Sequence, residues 1–240
     1  MKRTHLPERG NSILEFALVG SLFLVPMLAG SYSLGMSLVK SLQVGQVVRD
    51  ANILAVRGVN LSQSNNQSIV VRTASGLGMN VSGTNTADAN GLGVLVLSTV
   101  HRVSGSDCAG LGYTSSGTLS DGSPNYPTCP NFMYYVFRTR IVIGNVSKLP
   151  NSSSALGTPS DTLASDGTLT PAQYVVNTGD RATGFPSNSA VLPTDANALN
   201  GLVFLTAGND AYVCEGAFDI SAMNVFTVPR MGTIYARHVS

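Results

Sequence analysis

The sequence is short of charge. Only 11% of its 240 residues are Asp, Glu, Lys or Arg, and the formal net charge is +1, whereas charged residues average about a quarter of a soluble protein. Without a basic field the chain has nothing to attract nucleic acid, and no acidic tail marks a solvated interaction arm. We therefore expect no nucleic-acid partner, and surfaces that face a membrane, a neighbouring subunit or the exterior.

Residues that carry chemistry are also scarce. His5, His101 and His238 have no second histidine at metal-ligand spacing, and the cysteines form no C-x-x-C pair. Asp161 and Asp166 faintly resemble a calcium loop, but the other acidic ligands of such a loop are missing. Phosphate-binding glycine motifs and the G-x-S-x-G nucleophile motif are absent too. We expect no enzymatic activity, no metal and no cofactor.

A long apolar run near the N-terminus is the strongest feature present. Between Asn11 and Val39 the only charged residue is Glu15, and the run exceeds the roughly 20 apolar residues that a membrane-spanning helix needs. Lys2, Arg3 and Arg9 precede it. Because positive residues favour the cytoplasmic side, the rest of the chain is expected on the other side of the membrane.

Helical spacing of apolar residues continues beyond this run. The positions that repeat at this spacing are Val44, Val47, Val48, Ala51, Leu54 and Ala55. Gly58 suits a helix C-terminal cap, and Pro26 is expected to kink the helix without breaking it. The sequence therefore predicts one helix over 11–57, whose first half spans the membrane and whose second half presents an apolar stripe.

Glu15 needs an explanation, because an acidic residue at the centre of a spanning helix costs about 2.5 to 3.5 kcal/mol. If the chain is cut between Gly10 and Asn11, the new α-amine lies one helical turn before Glu15 and can pair with it, within one subunit or between two. Two alternatives stay open. One is a secretory signal peptide cut near Ala29–Ser31, and the other is an ordinary uncut single-span anchor.

The same residues resemble the processing signal of type IV prepilins. That signal has a short basic leader, here residues 1–10, with Gly10 at its last position and Glu15 at the fifth mature position. The pair Glu15-Phe16 followed by "ALVGSLFLVPML" is similar to the TadE-like minor pseudopilins of the tight-adherence (Flp-type) pilus system. The resemblance covers residues 8–58, and Asn11 departs from the apolar or small residue more usual at the first mature position.

This resemblance implies cleavage after Gly10 by a prepilin peptidase, with Glu15 and Phe16 acting in processing and assembly. It implies a minor pilin-like subunit of a type IV pilus or related surface-adhesion apparatus. The expected partners are other pilin-like subunits, inner-membrane assembly machinery and the lipid bilayer. The chain would lie in the bacterial inner membrane, with its C-terminal domain in the periplasm or outside the cell. The opposing hypothesis is an unprocessed single-span protein with an exported binding or sensor domain.

Residues 59–240 predict a β-rich domain. Strands are expected at 92–103, 133–143 and 211–220, the second with its apolar residues on one face and two arginines on the other. Residues 68–79 indicate a short helix. Three strands with an apolar face need a cover, which the second half of the long helix supplies. The expected fold class is α+β, a long transmembrane helix packed by its second half on a small antiparallel sheet.

Two cysteines flank the expected hairpin. Cys108 follows its first strand and Cys129 precedes its second, so an antiparallel pairing brings them together. A disulfide there closes a loop of about twenty residues, which contributes about 3 kcal/mol in the chain-entropy model, and it requires an oxidising compartment. Cys214 is then a buried thiol. The alternative is three reduced cysteines.

The segment 145–200 is rich in Ser, Thr, Asn, Pro and Asp and shows little apolar periodicity. It predicts a long, exposed and mobile loop. Such a loop would serve either as a contact surface for a partner or as a tolerated insertion.

Overall fold

The computed structural model of the protein describes residues 11–80, 90–183, 185, 205–219 and 233–240. The expected leader, including Gly10, lies outside these residues. The helices and strands in chain order are α1 Asn11–Val56, α2 Ser64–Thr73, β1 Gly93–Arg102, α3 Gly105–Gly110, β2 Tyr135–Gly144, α4 Pro171–Val176, β3 Asp210–Asp219 and β4 Thr233–Val239. The predicted α+β architecture is confirmed.

Helix α1 runs without interruption through Pro26 for 46 residues, about 70 Å at 1.5 Å per residue. The helix ends just before Gly58, the residue that the sequence predicted as its C-terminal cap. Gly58 has φ +76°, a conformation that costs glycine little. The Gly58 N–H donates to the Ala55 carbonyl and the Val59 N–H to the Leu54 carbonyl, both at 3.0 Å, which is the Schellman arrangement.

Among the described residues, four strands form one antiparallel sheet in the order β2-β1-β3-β4. The three predicted strands are confirmed, and β1 with β2 forms the expected hairpin. Strand β4 was not predicted. It pairs with β3 from Val213 opposite Val239 to Asp219 opposite Thr233. Apolar and polar residues alternate in "TIYARHV" as in a strand. All seven residues are exposed or half-buried, so the alternation is weak.

The second half of α1 packs on β3 and β4. Its predicted stripe is confirmed, because Val44, Val47, Val48 and Ala51 are all buried. The rest of this helix-side core comes from α2, the turn after it and one face of the sheet. Hydrophobic burial, at about 25 cal/mol per Å² of apolar surface, therefore fixes the helix to the sheet.

The predicted single apolar face of β2 is wrong. Thr99 pairs with Thr139 but Val100 pairs with Phe137, so Arg138 is the extra residue of a β-bulge. A bulge reverses the alternation of side chains along the strand. The apolar residues before the bulge therefore pack on the face of the sheet opposite α1. Those after it, Ile141 and Ile143, pack on the face that α1 covers.

The expectation of an exposed loop after β2 is wrong for the described residues 145–183. This segment covers the face of the sheet opposite α1 and buries Leu149, Leu156, Leu169, Tyr174, Val175 and Ala182. It also bonds to the edge of β2, where the Leu169 N–H donates to the Arg138 carbonyl at 2.8 Å. Its buried residues follow no regular spacing, so no periodic pattern in the sequence predicted their burial. Residues 186–200 lie outside the described part.

Candidate functional site

The first half of α1 presents bare apolar surface. Its most hydrophobic 18-residue window has none of its residues buried, and α1 is the one described helix long and apolar enough to cross a membrane. The large exposed apolar side chains before Lys40 are Leu14, Phe16, Leu18, Val19, Leu22, Phe23, Leu24, Val25, Met27, Leu28, Tyr32, Leu34, Met36, Leu38 and Val39. An exposed apolar patch of this size is typical of a surface that contacts a membrane or another protein.

Two hydroxyl groups within this apolar stretch bond to carbonyls of the helix itself. The Ser21 hydroxyl donates to the Leu18 carbonyl at 3.0 Å and the Ser31 hydroxyl to the Met27 carbonyl at 2.9 Å. In hydrocarbon no water is available to take these protons, so internal pairing removes the cost of inserting them.

Glu15 and Phe16 lie in the first turns of this surface. The helix begins at Asn11, so the Asn11 nitrogen and the Glu15 side chain are four positions apart, on the same side of the helix. Glu15 is exposed and Phe16 is 81% exposed. Within the described residues no basic side chain bonds Glu15.

The sheet domain begins where the apolar run ends. Lys40, the first cation after the run, donates from its ammonium to the carbonyl of Gly76, just beyond α2. The lysine thus fixes α2 and the turn after it against α1 at the boundary between the apolar and the amphipathic half. We call the described residues from 59 onward, together with the second half of α1, the sheet domain.

A buried charge cluster lies at one end of β1. The His101 Nδ1 atom is 2.6 Å from Asp210 Oδ1 on β3, and its Nε2 atom is 3.0 Å from Asp107 Oδ2 on α3. Asp210 also accepts from Arg138 Nη1 at 2.7 Å. Asp107 lies in the first turn of α3 and is held there by a capping box with Ser104. In this box the side chain of each residue accepts a hydrogen bond from the other's backbone N–H.

The charges in this cluster support one another. Burial lowers the pKa of His101, but hydrogen bonds from its ring to Asp210 and Asp107 and the charges of these carboxylates outweigh burial and raise it. Burial raises the pKa of Asp210, but the hydrogen bond from His101 and the charge of Arg138 lower it overall. Both ring nitrogens face carboxylates, so the surroundings of His101 favour the doubly protonated imidazolium over the neutral ring.

This cluster differs from a hydrolytic triad in its hydrogen bonding. The Ser104 hydroxyl donates to Asp107 rather than to His101, and both nitrogens of His101 are already occupied by carboxylates. His101 is therefore not placed to take the proton of the serine, as the histidine of a triad would. The cluster ties β1, β3 and α3 together.

A second buried polar cluster is centred on Glu215 of β3, which is fully buried. Its carboxylate accepts from the Ser154 hydroxyl, from the Ala155 N–H at 3.0 Å and from the Tyr235 hydroxyl at 2.6 Å. Burial lowers the pKa of nearby Arg140, and the charge of Glu215 opposes that shift. Glu215 therefore fastens the covering segment after β2 and the edge strand β4 to the centre of the sheet.

The predicted disulfide is confirmed. Cys108 and Cys129 are joined at an S–S distance of 2.07 Å, 21 positions apart in sequence. Cys214 is a free, buried thiol, as expected, and burial together with the Glu215 charge raises its pKa. A thiol so disfavoured from ionising is chemically inert.

Neither polar cluster was predicted from the sequence, although the Ser104-x-x-Asp107 spacing is a recognisable capping-box signal. The described residues contain no group of three His, Cys, Asp or Glu side chains that could hold a metal ion. No protein-family model, curated protein or solved structure matches the chain.

Proposed function

We propose that the protein is a TadE-like minor pilin-like subunit that takes part in the assembly of a type IV (Flp/Tad-type) pilus or a related surface-adhesion apparatus. Its mature chain begins at Asn11, after a prepilin peptidase cuts behind Gly10. Helix α1 holds it in the bacterial inner membrane, with the sheet domain in the periplasm or outside the cell. Its partners are other pilin-like subunits and the inner-membrane assembly machinery.

The observation that carries this proposal is the division of α1 into two halves. One half is apolar, with no buried residue in its most hydrophobic window, and the other covers a sheet whose core includes Val44 and Val48. A single continuous helix thus joins a lipid-compatible surface to a folded domain. This form allows a subunit to leave the bilayer and bury the same apolar surface against neighbouring helices.

The position of Glu15 sets the axial alignment of neighbouring helices in an assembly. A carboxylate one turn after a free α-amine at Asn11 has a cationic partner with a reference pKa of about 7.7 to 8.0. If the amine belongs to the adjacent subunit, the pair sets the axial offset between two helices, because a one-turn slip would leave both charges unpaired in apolar surroundings.

The Cys108–Cys129 disulfide supports the orientation. Such bonds persist in the periplasm and at cell surfaces but are rare in the cytosol. Lys2, Arg3 and Arg9, which precede the apolar run, agree with an N-terminus on the cytoplasmic side.

Processing is tested by expressing the full chain in membranes with and without a prepilin peptidase, followed by N-terminal sequencing and intact mass. The proposal expects a start at Asn11 only when the peptidase is present. A chain that keeps Met1 under both conditions would favour the uncut single-span anchor. A start beyond Ser31 would favour a secretory signal peptide.

Assembly is tested with Glu15→Gln, which removes the charge and keeps the size. The matched control is Asp50→Asn on the same helix, where the acidic residue is exposed in the sheet domain. Both variants should insert in the membrane, but only Glu15→Gln should be depleted from purified filaments. Equal incorporation of the two variants would contradict the pairing role of Glu15.

A further inference from the structure

Helix α2 and the turn after it lead the chain back toward the apolar half of α1. The chain leaves α1 just before Gly58. In the turn Ser75–Leu77 it again lies beside Lys40, whose ammonium donates to the Gly76 carbonyl. Because Lys40 precedes Gly58 by about 27 Å along the helix, this turn lies where the apolar run of α1 ends.

The length of the apolar run sets the level of this turn in a bilayer. Residues 11–39 contain no basic side chain, and at 1.5 Å per residue they extend over about 43 Å. A bilayer is about 40 to 45 Å thick when its headgroup regions are included. With Asn11 at one surface, Lys40 and the turn bonded to it therefore lie at the headgroups of the other surface.

Strand β3 also runs toward this surface. Tyr212, near its start, lies with Asn52 in the wall of one cavity, whereas Gly216 lies beneath Val48. Residue numbers thus rise along β3 in the direction in which they fall along α1. The last residue of the strand, Asp219, is therefore at the membrane-side end of the sheet.

The described residues at this end carry a net positive charge. Lys148 pairs with Asp219 at 2.9 Å, and these two charges cancel. Lys40 and Arg72 remain. Lys40 uses one of its three ammonium protons on the Gly76 carbonyl. Arg72 is exposed and forms no ion pair with a carboxylate of the described residues. Two cations are thus available at the level of the headgroups.

Arg72 is held close to the membrane-side turn. It lies in the last turn of α2, and the Ser75 hydroxyl donates to its carbonyl at 2.8 Å. Ile69, three positions earlier and on the same side of the helix, is 54% exposed. Basic and apolar side chains that share an exposed helix face are typical of a membrane surface. The planar guanidinium also matches the geometry of a phosphate group, which it can bind through two parallel hydrogen bonds.

We propose that Arg72, together with Lys40, binds the phosphate of an anionic phospholipid in the leaflet that faces the sheet domain. This inference rests on the part of the proposed function in which α1 spans the membrane, and it is independent of cleavage behind Gly10. Helix α1 alone leaves the sheet domain free to turn about the helix axis. A second contact at α2 fixes which side of the domain faces the lipid.

The test uses the full chain in vesicles of phosphatidylcholine and phosphatidylglycerol. The chain has no Trp, so Met36→Trp supplies a single fluorescent reporter. Met36 is 41% exposed and lies one turn before Lys40 on the same side of α1. Quenching by brominated acyl chains, carried by one lipid at a time, gives the relative affinity of the two lipids beside the reporter. Phosphatidylglycerol should bind at least about fivefold better, the effect of one basic residue at an anionic surface.

Three further changes are made in the chain that carries the reporter. Arg72→Gln should lower the preference for phosphatidylglycerol about fivefold, and Arg72→Lys should keep most of it. Arg57→Gln is the matched control, because it removes an exposed arginine about 26 Å farther along α1 than Lys40. It should leave the preference unchanged. Thermal unfolding checks that each variant remains folded.

Equal affinities of the two lipids would overturn the proposal, as would equal preferences in Arg72→Gln and Arg57→Gln. A third arm adds inorganic phosphate or, at the same ionic strength, sodium chloride. If phosphate removes the preference and sodium chloride does not, the site takes soluble phosphate and the assignment to a lipid is wrong.

Insertion is measured separately, by flotation of the vesicles after washing in alkaline carbonate. A chain that does not float with the vesicles overturns both the headgroup site and the membrane anchor of the proposed function. A chain that floats but shows no lipid preference overturns the headgroup site alone.

Discussion

His101 and Asp210 are register partners on neighbouring strands, and their side chains form a 2.6 Å hydrogen bond between Nδ1 and Oδ1. Asp107 takes the other ring nitrogen from a separate helix. One buried histidine therefore joins two neighbouring strands and the short helix that follows β1. Its protonation state becomes part of the stability of the sheet domain.

The first prediction concerns pH. The pKa of His101 is raised in the fold, so its stabilisation is complete below the unfolded value of about 6.5 and is lost as the pH rises through the folded value. The pKa values of Asp107 and Asp210 are lowered, so their stabilisation is present above about pH 3.9 and is lost on further acidification. The cluster should contribute most between about pH 4 and 6.5.

The measurement compares the wild type with His101→Gln in urea at pH 5.5 and 8.5, with unfolding followed by tyrosine fluorescence, since the chain has eight Tyr and no Trp. At pH 5.5 the variant should lose about 1.5 to 3 kcal/mol, the range for hydrogen bonds to charged groups. The loss should shrink at pH 8.5. An identical loss at both values would contradict an imidazolium at this position.

The second prediction concerns the disulfide. Replacing both Cys108 and Cys129 by Ser should lower the free energy of unfolding by about 3 kcal/mol, because the unfolded chain regains the entropy of a loop of 21 positions. Reducing agent should destabilise the wild type similarly and leave the double variant unchanged. Cys214→Ala is the control, since it removes a thiol that forms no disulfide. A response of the double variant to reductant would oppose this account.

The sequence predicted those parts of the fold that repeat with a fixed period. The stripe at Val44, Val47 and Val48, the glycine cap and three strands all depend on local spacing, and all were correct. The covering segment 145–183 was not foreseen, because its buried residues are held by irregular turns and by bonds to β2. Burial there is decided by contacts with a distant surface.

Local spacing in the sequence does not predict the two polar clusters either. His101 and Asp107 are six residues apart and linked by a local capping box, but Asp210 reaches them only through the pairing of β1 with β3. Alternation along β3 places Glu215 on the face opposite Tyr212, Cys214 and Phe218, which predicts a polar face there. That face is instead covered by residues after β2, so the carboxylate is buried and bonded. Strand register and tertiary cover decide both sites.

The third prediction concerns Glu215. Its replacement by Ala should cost about 3 to 5 kcal/mol, because it leaves Arg140 buried without its counter-charge and three donors without an acceptor. Tyr235→Phe should cost less, about 0.5 to 1.5 kcal/mol, since it removes one hydrogen bond. Urea unfolding ranks the two. A Glu215→Ala variant as stable as Tyr235→Phe would contradict the central role of the carboxylate.

The last prediction concerns the contact between α1 and the sheet. Gly216 of β3 lies directly beneath the helix, where an added Cβ would overlap the Cγ2 atom of Val48 and approach Leu95 at 3.0 Å. Val48 is buried in a close-packed core, so it has little room to move away. Gly216→Ala should therefore destabilise the sheet domain by about 1 to 3 kcal/mol, the usual range for overpacking.

The control is Gly76→Ala, where an added Cβ meets nothing within 4 Å and the backbone is not in the left-handed region. It should change stability little. Hydrogen exchange of α1 amides near Val48 distinguishes local loosening from global unfolding, because an expelled helix loses protection while the β1–β2 hairpin keeps it. Unchanged stability and unchanged protection around Val48 in Gly216→Ala would contradict the close packing of α1 on β3 that leaves no room for an added methyl group.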